Sequence, residues 1–446
     1  MDTVLSRAKA LKQSLMDFVL DAEGELAVSL EAYSAAQLAR TTHQDMQRRT
    51  FVVDRFIAEG KVGDTTPIDI FLDANPDLDK SDRQLVTRWK QSFIGLFAIQ
   101  QVLEDGFELM NWTTAKQYQV KQTEPKELEK RHRLGTDEVI LAQISPLSDS
   151  DWMFFSPWIS LGKLGKPKLA VAIGNFKQNY KSYLYSDAPD LLAEAWKSVE
   201  QHHQNFVDFF GDAEVTLPGY QLNKKLAEFQ EIITQKSLAA SGIDPTQSLE
   251  DLVKEAGVSQ ADIAEVAEAM GADQKTVSQL LEHQAIPKMV APKVELPAPL
   301  KKAEQVTVLT DPRWGQMFLP TYSQFKSLLQ AEDWQTIANA KEIVQKHLKQ
   351  PDINSFVWHR LAKQYPTQMQ SLLQQVLERP DFNLEDDLDS LLQEYGKETE
   401  VELPEIASVP LHLHNLFQEA LLEVSKEKSK PKAKKKVGAG FQRSEL

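Results

Sequence analysis

Asp73, Asn75, Asp77, Asp79 and Asp82 place oxygen donors at near-alternate positions, the arrangement a hard cation such as calcium requires. The spacing fails where it matters. Leu78 stands at the turn glycine's position, Gln84 at that of the bidentate glutamate, and Pro76 intrudes. The segment therefore predicts a helix-capping loop. Histidines pair as His202-His203 and His412-x-His414, whereas two ligands on one helix face must be three or four residues apart. His202 and His203 instead interrupt an apolar stripe between Val199 and Phe206, which predicts partly buried structural rings. Neither a phosphate-binding GxxxxGK loop, a glycine-rich dinucleotide turn, an HExxH pair nor a GxSxG elbow occurs. The expectation is a non-enzyme with no cofactor and no metal.

Two further clusters bear on partners. The stretch Trp152-Met153-Phe154-Phe155-Ser156-Pro157-Trp158 is unusually aromatic. Alternation directs Trp152, Phe154 and Trp158 into a core, while any ring left exposed would grip a peptide or stack a base. Trp152, Phe155 and Trp158 are the partner-binding candidates, and Pro157 predicts an edge strand or bulge open to peptide addition. Asp381, Glu385, Asp386, Asp387 and Asp389 surround the start of a predicted helix, where negative charge suits the helix dipole.

The 446-residue chain carries 50 basic and 65 acidic residues, a net charge of −15, so its body should repel phosphate backbones and anionic membranes. Residues 426–446 reverse that sign, with eight basic residues against Glu427 and Glu445. The absence of cysteine excludes disulfides, thiolate nucleophiles and cysteine-ligated metals. No run reaches the roughly 18 apolar residues that span a bilayer, and the first residues lack a signal-peptide pattern. A cytoplasmic protein that is not integral to a membrane is expected.

Helical spacing of Val4, Ala8, Leu11, Leu15, Phe18 and Val19 predicts a helix over 3–20, with others over 34–59, 67–73 and 82–93. The period then changes. Strands are predicted over 96–103, 107–112, 138–145 and 152–161, the first two joined by Glu104-Asp105-Gly106, a strong hairpin signal. Amphipathic helices follow over 188–210 and 220–238. Next come three short helices over 248–283, then IPKMVAPKVELPAPLKK, whose four prolines predict an extended linker separating two halves. Helices are again expected over 320–330, 334–348, 353–364, 367–379, 383–395 and 411–424. The predicted fold is mostly α with a small antiparallel β element: an α+β N-terminal half and an all-α C-terminal half. Its divisions are a helical region (1–95), a small sheet or barrel (96–165), amphipathic helices packed on it (166–245), a three-helix module (248–284), a proline-rich linker (285–305), a helical domain (306–425) and a disordered lysine-rich tail (426–446).

Within the three-helix module, Ala267, Gly271, Val277 and Leu280 are spaced so that residues 261–281 resemble a helix-turn-helix. The resemblance implies close helix approach at the alanine and a left-handed turn at the glycine; Gln274, Lys275, Ser278 and Gln279 would face a DNA groove. Charge argues for another use, since residues 248–283 hold eight carboxylates against Lys254 and Lys275. The tail, ending KKKVGAGF before its last residues, resembles those of conserved cyanobacterial and plastid proteins. Its Lys432, Lys434, Lys435 and Lys436 suit weak contact with nucleic acid or an anionic surface, and Phe441 suits docking. The function expected is a non-enzymatic adaptor or assembly factor that binds protein partners. The alternative is a nucleic-acid-associated regulator that uses the helix-turn-helix-like module and the basic tail.

Overall fold

The computed structural model describes residues 3–39, 46–122, 134–240, 289–397, 399 and 401–429. The N-terminal layer comprises α1 (Thr3–Leu20), α2 (Glu25–Ala39), α3 (Met46–Glu59), α4 (Pro67–Ala74) and α5 (Lys80–Arg88). Local chemistry sets the helix starts. Thr66 and Asp69 form a reciprocal capping box ahead of α4, with Pro67 in its first turn. Asp79 Oδ1 accepts the Asp82 N–H at 2.8 Å to open α5. The aspartates at 79 and 82 are thus occupied by a helix end and by an ion pair from Asp82 to Arg7. Leu5, Ala8, Leu11, Leu15 and Val19, the apolar stripe of α1, are buried with Phe56, Ile57, Phe71 and Trp89.

A barrel follows, built from β1 (Phe93–Leu103), β2 (Gly106–Asn111), β3 (Gln117–Lys121), β4 (Glu138–Pro146) and β5 (Asp151–Phe154). Long β1 serves two neighbours: Phe93–Ala98 pair antiparallel with β4 and Phe97–Leu103 with β2, the latter ladder interrupted by an irregularity between Ile99 and Gln101. β3 runs parallel to β5, which closes the ring in the order β1-β2-β3-β5-β4 and back to β1. The ring so formed is a closed five-stranded barrel in which β3–β5 is the one parallel pair and the other neighbours are antiparallel. Past Ser156, Pro157 and Trp158, β6 (Ile159–Lys163) continues along the same side of β4 that β5 occupies.

Next come α6 (Lys166–Asn179), α7 (Pro189–Phe210), β7 (Glu214–Leu217) and α8 (Gly219–Ala240). Ala195 and Val199 of α7 join the barrel core, and Phe206 joins a second core with Leu222, Leu226 and Phe229 of α8. Gly219 is required where it stands, because a Cβ there would lie 2.0 Å from the Leu300 carbonyl oxygen. The proline-rich segment from 289 onward is packed: β8 (Met289–Val290) pairs with β11 (Val409–Pro410), and Leu296 is buried in the second core.

β9 (Val306–Asp311) and β10 (Gly315–Leu319) form a hairpin that adds to β7, and α9 (Tyr322–Gln330), α10 (Ala340–Lys349), α11 (Ser355–Gln364), α12 (Pro366–Val376) and α13 (Leu384–Glu394) pack on it. The last helix, α14 (Leu411–Ser429), returns to the barrel, where Leu413 and Leu416 enter the core.

These sheets overturn the mostly-α expectation. Helix amounts to 54% and strand to 18%, with a closed five-stranded barrel in the N-terminal half, so the class is α+β. The all-α expectation for the second half fails at β9 and β10. Short strands such as QYQVK carry little signal on their own, since their stability comes from partners distant in sequence. Among the described residues no helix is long and apolar enough to cross a membrane.

Candidate functional site

The barrel uses its aromatic residues on the inside. Successive strand side chains face opposite sides, so the register that sets Phe93 opposite Ile144, and Ile144 opposite Phe154, groups these rings with Phe97, Phe107, Tyr118 and Trp152. Trp152 meets Tyr118 edge-on at 5.1 Å and Phe93 at 5.6 Å; Trp158 lies 4.9 Å from Phe154 and 6.2 Å from Phe107. Both tryptophans are half-buried parts of this core. Phe155 points the other way, fully buried under the N-terminal helices, 5.6 Å from Trp89 and with Lys12 Nζ 5.0 Å above its ring. It offers no surface to a partner. The expectation for Phe155 is thereby corrected: alternation turned it to the face that the N-terminal layer covers. Gln274, Lys275, Ser278 and Gln279 lie outside the described residues, as do Lys432, Lys434, Lys435, Lys436 and Phe441.

The outer face of β2 and β3 carries Glu108, Met110, Gln117, Gln119 and Lys121. Lys121 is engaged by Asp105 at 2.7 Å and by Asp151 at 3.6 Å. Single-stranded nucleic acid needs a positive groove with aromatic platforms, and this face has neither.

The exposed end of the sheet is different. The other side of β6 carries no strand among the described residues, and Leu161 on it is 39% exposed. Gly162 adopts φ of 72° at a bulge opposite Val139 and Ile140, where its N–H reaches Ser160 Oγ at 3.3 Å. From Trp152 to Ser186 the chain contains Lys163, Lys166, Lys168, Lys177 and Lys181 and not one carboxylate, within a protein of net charge −15. Lys163, Lys166 and Lys168 are exposed; Lys166 contacts Glu419 of α14 at 2.8 Å across the surface. Sequence reasoning missed this stretch, and the run without acids was the signal that marks it.

Polar hubs clamp the surrounding layers. Asp187 Oδ2, beside the start of α7, accepts hydrogen bonds from Asn111 Nδ2 at 3.0 Å, Thr114 Oγ1 at 2.8 Å and the Tyr118 hydroxyl at 2.5 Å, holding the turn between β2 and β3. Glu59 receives Arg55 Nε at 2.6 Å and the hydroxyls of Tyr33 and Tyr183, tying α2 and α3 to the segment after α6. Glu214 on β7 takes Tyr322 at 3.0 Å, Lys326 at 2.5 Å and Arg360 at 3.2 Å, joining the sheet to α9 and α11. Burial next to a carboxylate pushes the phenols of Tyr118, Tyr183 and Tyr322 up, so all three remain hydrogen-bond donors. His202 reaches Gln316 at 2.7 Å and His203 reaches Thr310 at 3.3 Å, fastening α7 to the hairpin β9–β10. His359 and Asp389 pair at 2.8 Å beside Trp314 and Phe356 in an open depression of about 370 Å³. Among the described residues no group of three or more histidines and carboxylates is placed to hold a metal.

No protein-family model matches the chain, and no curated protein or solved structure is similar to it.

Proposed function

We propose that this chain is a cytoplasmic, non-enzymatic adaptor or assembly factor that acts through protein–protein contacts. The observation that carries the reading is the outer edge of β6. A strand edge presents a row of backbone donors and acceptors ready to pair with another chain, and β6 lies on a barrel braced by helices on its other sides. Glu108 and the amides of Gln117 and Gln119 on the outer β2–β3 face support a protein partner over a nucleic acid.

The test is hydrogen exchange on the full chain alone and in a nuclease-treated, purified complex with its captured partner. Protection of the amides of residues 159–163 in the complex is the expected result. A catch that disappears with nuclease, or a complex that leaves these amides unprotected, overturns the reading.

A closed five-stranded barrel, an architecture that oligonucleotide-binding folds also use, favours a second reading, a nucleic-acid-associated regulator, for which residues 248–284 and 426–446 would supply the contacts. That reading requires steep salt dependence and a binding constant that falls when 426–446 is deleted and when Lys275→Glu is introduced.

A further inference from the structure

We propose that the partner segment received by β6 is an extended, acidic peptide with apolar residues at alternate positions; this rests on the adaptor reading and specifies its chemistry. Three observations converge at one place in the fold. β6 leaves one side without a strand among the described residues, so an added chain gains a ladder of main-chain hydrogen bonds, which a peptide backbone supplies and a nucleic acid does not. Leu161 exposes apolar surface on that strand, and such surface accepts alternate apolar side chains of the incoming segment.

Charge then selects among peptides. Lys163 ends β6, and Lys166 and Lys168 open α6 immediately after it. Lys163 and Lys168 are exposed, and the contact of Lys166 with Glu419 is a surface pair that an incoming carboxylate exchanges at little cost. α6 has no acidic residue in its first turn, so its N-terminus adds to the same positive field. In a chain of net charge −15, these lysines, set against Glu138 across the strand pair and Glu419 and Glu423 of α14, draw an acidic segment to this edge.

The experiment displays random dodecapeptides to the full-length chain and measures the enriched peptides by fluorescence anisotropy. Each is compared with a twin in which Glu and Asp become Lys and with a twin carrying proline at alternate positions. Enrichment of acidic peptides free of proline is expected, with hydrogen-exchange protection at residues 159–163 and loss of binding by both twins. The double variant Lys163→Glu/Lys168→Glu should weaken the acidic peptide about tenfold, with melting temperature unchanged, and should bind the lysine twin better than the wild-type chain does.

Peptides that protect β6 without being acidic overturn the charge assignment while leaving the adaptor reading in place. Enrichment that protects other residues, or no enrichment at all, overturns the edge as the docking site and with it the observation on which the adaptor reading rests.

Discussion

Two buried titratable groups, Asp54 beneath the barrel and His347 among the C-terminal helices, suffer the same loss of water and respond to pH in opposite directions. Asp54 is fully buried on α3 with Lys12 Nζ at 2.8 Å, and desolvation still pushes its carboxyl up to about 6 against that countercharge. His347 is stacked on Phe325 at 4.2 Å and meets Trp358 edge-on at 5.2 Å, and neither ring nitrogen has a hydrogen-bond partner. Desolvation, reinforced by nearby Lys397, holds the imidazole down at about 3. The difference teaches that burial favours whichever form is neutral: a protonated acid in one layer, an unprotonated base in the other. Acidification therefore relieves the N-terminal layer and loads the C-terminal one.

The largest test removes a wall of the histidine's box. Trp358→Ala deletes a fully buried ring and should cost about 3–5 kcal/mol in urea unfolding, with His347 then titrating closer to its ordinary value by NMR.

The pH dependence follows next. His347 contributes stability that is present above its unfolded value of 6.5 and lost as pH falls through about 3. Its slope is at most about 1.4 kcal/mol per pH unit, read by region-resolved hydrogen exchange in α9 to α11. His347→Phe should flatten that slope, and a slope that persists in this variant breaks the comparison.

Asp54 works the other way. Its contribution is present below 3.8 and lost as pH rises through about 6, so stability of α1 and α3 should decline over that window. Asp54→Asn should abolish the decline.

The smallest effect concerns Lys397, whose Nζ donates to the His347 carbonyl at 3.1 Å and to that of Gln350 at the end of α10. Lys397→Met should cost about 1 kcal/mol through the lost hydrogen bonds. It should also raise the His347 titration point, because one positive neighbour is gone.

Legibility in the sequence tracked the distance over which each feature is decided. The α1 stripe through Ala8, Leu11, Leu15 and Val19, the capping role of the 73–82 loop and the helices on either side of Tyr365-Pro366 depend on residues within a few positions and were readable, although the stripe begins at buried Leu5 and not at Val4, which is exposed. Glu104-Asp105-Gly106 announced its hairpin, where Leu103 lies opposite Gly106. The β9–β10 hairpin was missed although Asp311 Oδ1 accepts the N–H groups of Arg313 and Trp314, a turn device that the Asp-Pro pair advertises. The aromatic stretch was noticed, yet which rings faced inward depended on which side of the strand the helices would cover. The lysine-rich, acid-free stretch from 152 to 186 was visible as composition, and its meaning appeared only once β6 stood at an uncovered edge.

By itself, the sequence determined the course of helices with a clear apolar period, such as 3–20 and 188–210, that the chain has no thiol chemistry, and that its charge is acidic, because periodicity and charge are local or additive, whereas the helices Glu25–Ala39 and Lys166–Asn179 escaped it. Tertiary structure alone decided that β3 would lie parallel to β5 and close a barrel, and that Asp187 would collect donors from Asn111, Thr114 and Tyr118. It also decided that Phe155 would be sealed in while Lys163 stayed in water. Each of these depends on pairings between residues about 30 to 160 positions apart, whose free energy is absent from any local window and exists only when the layers meet.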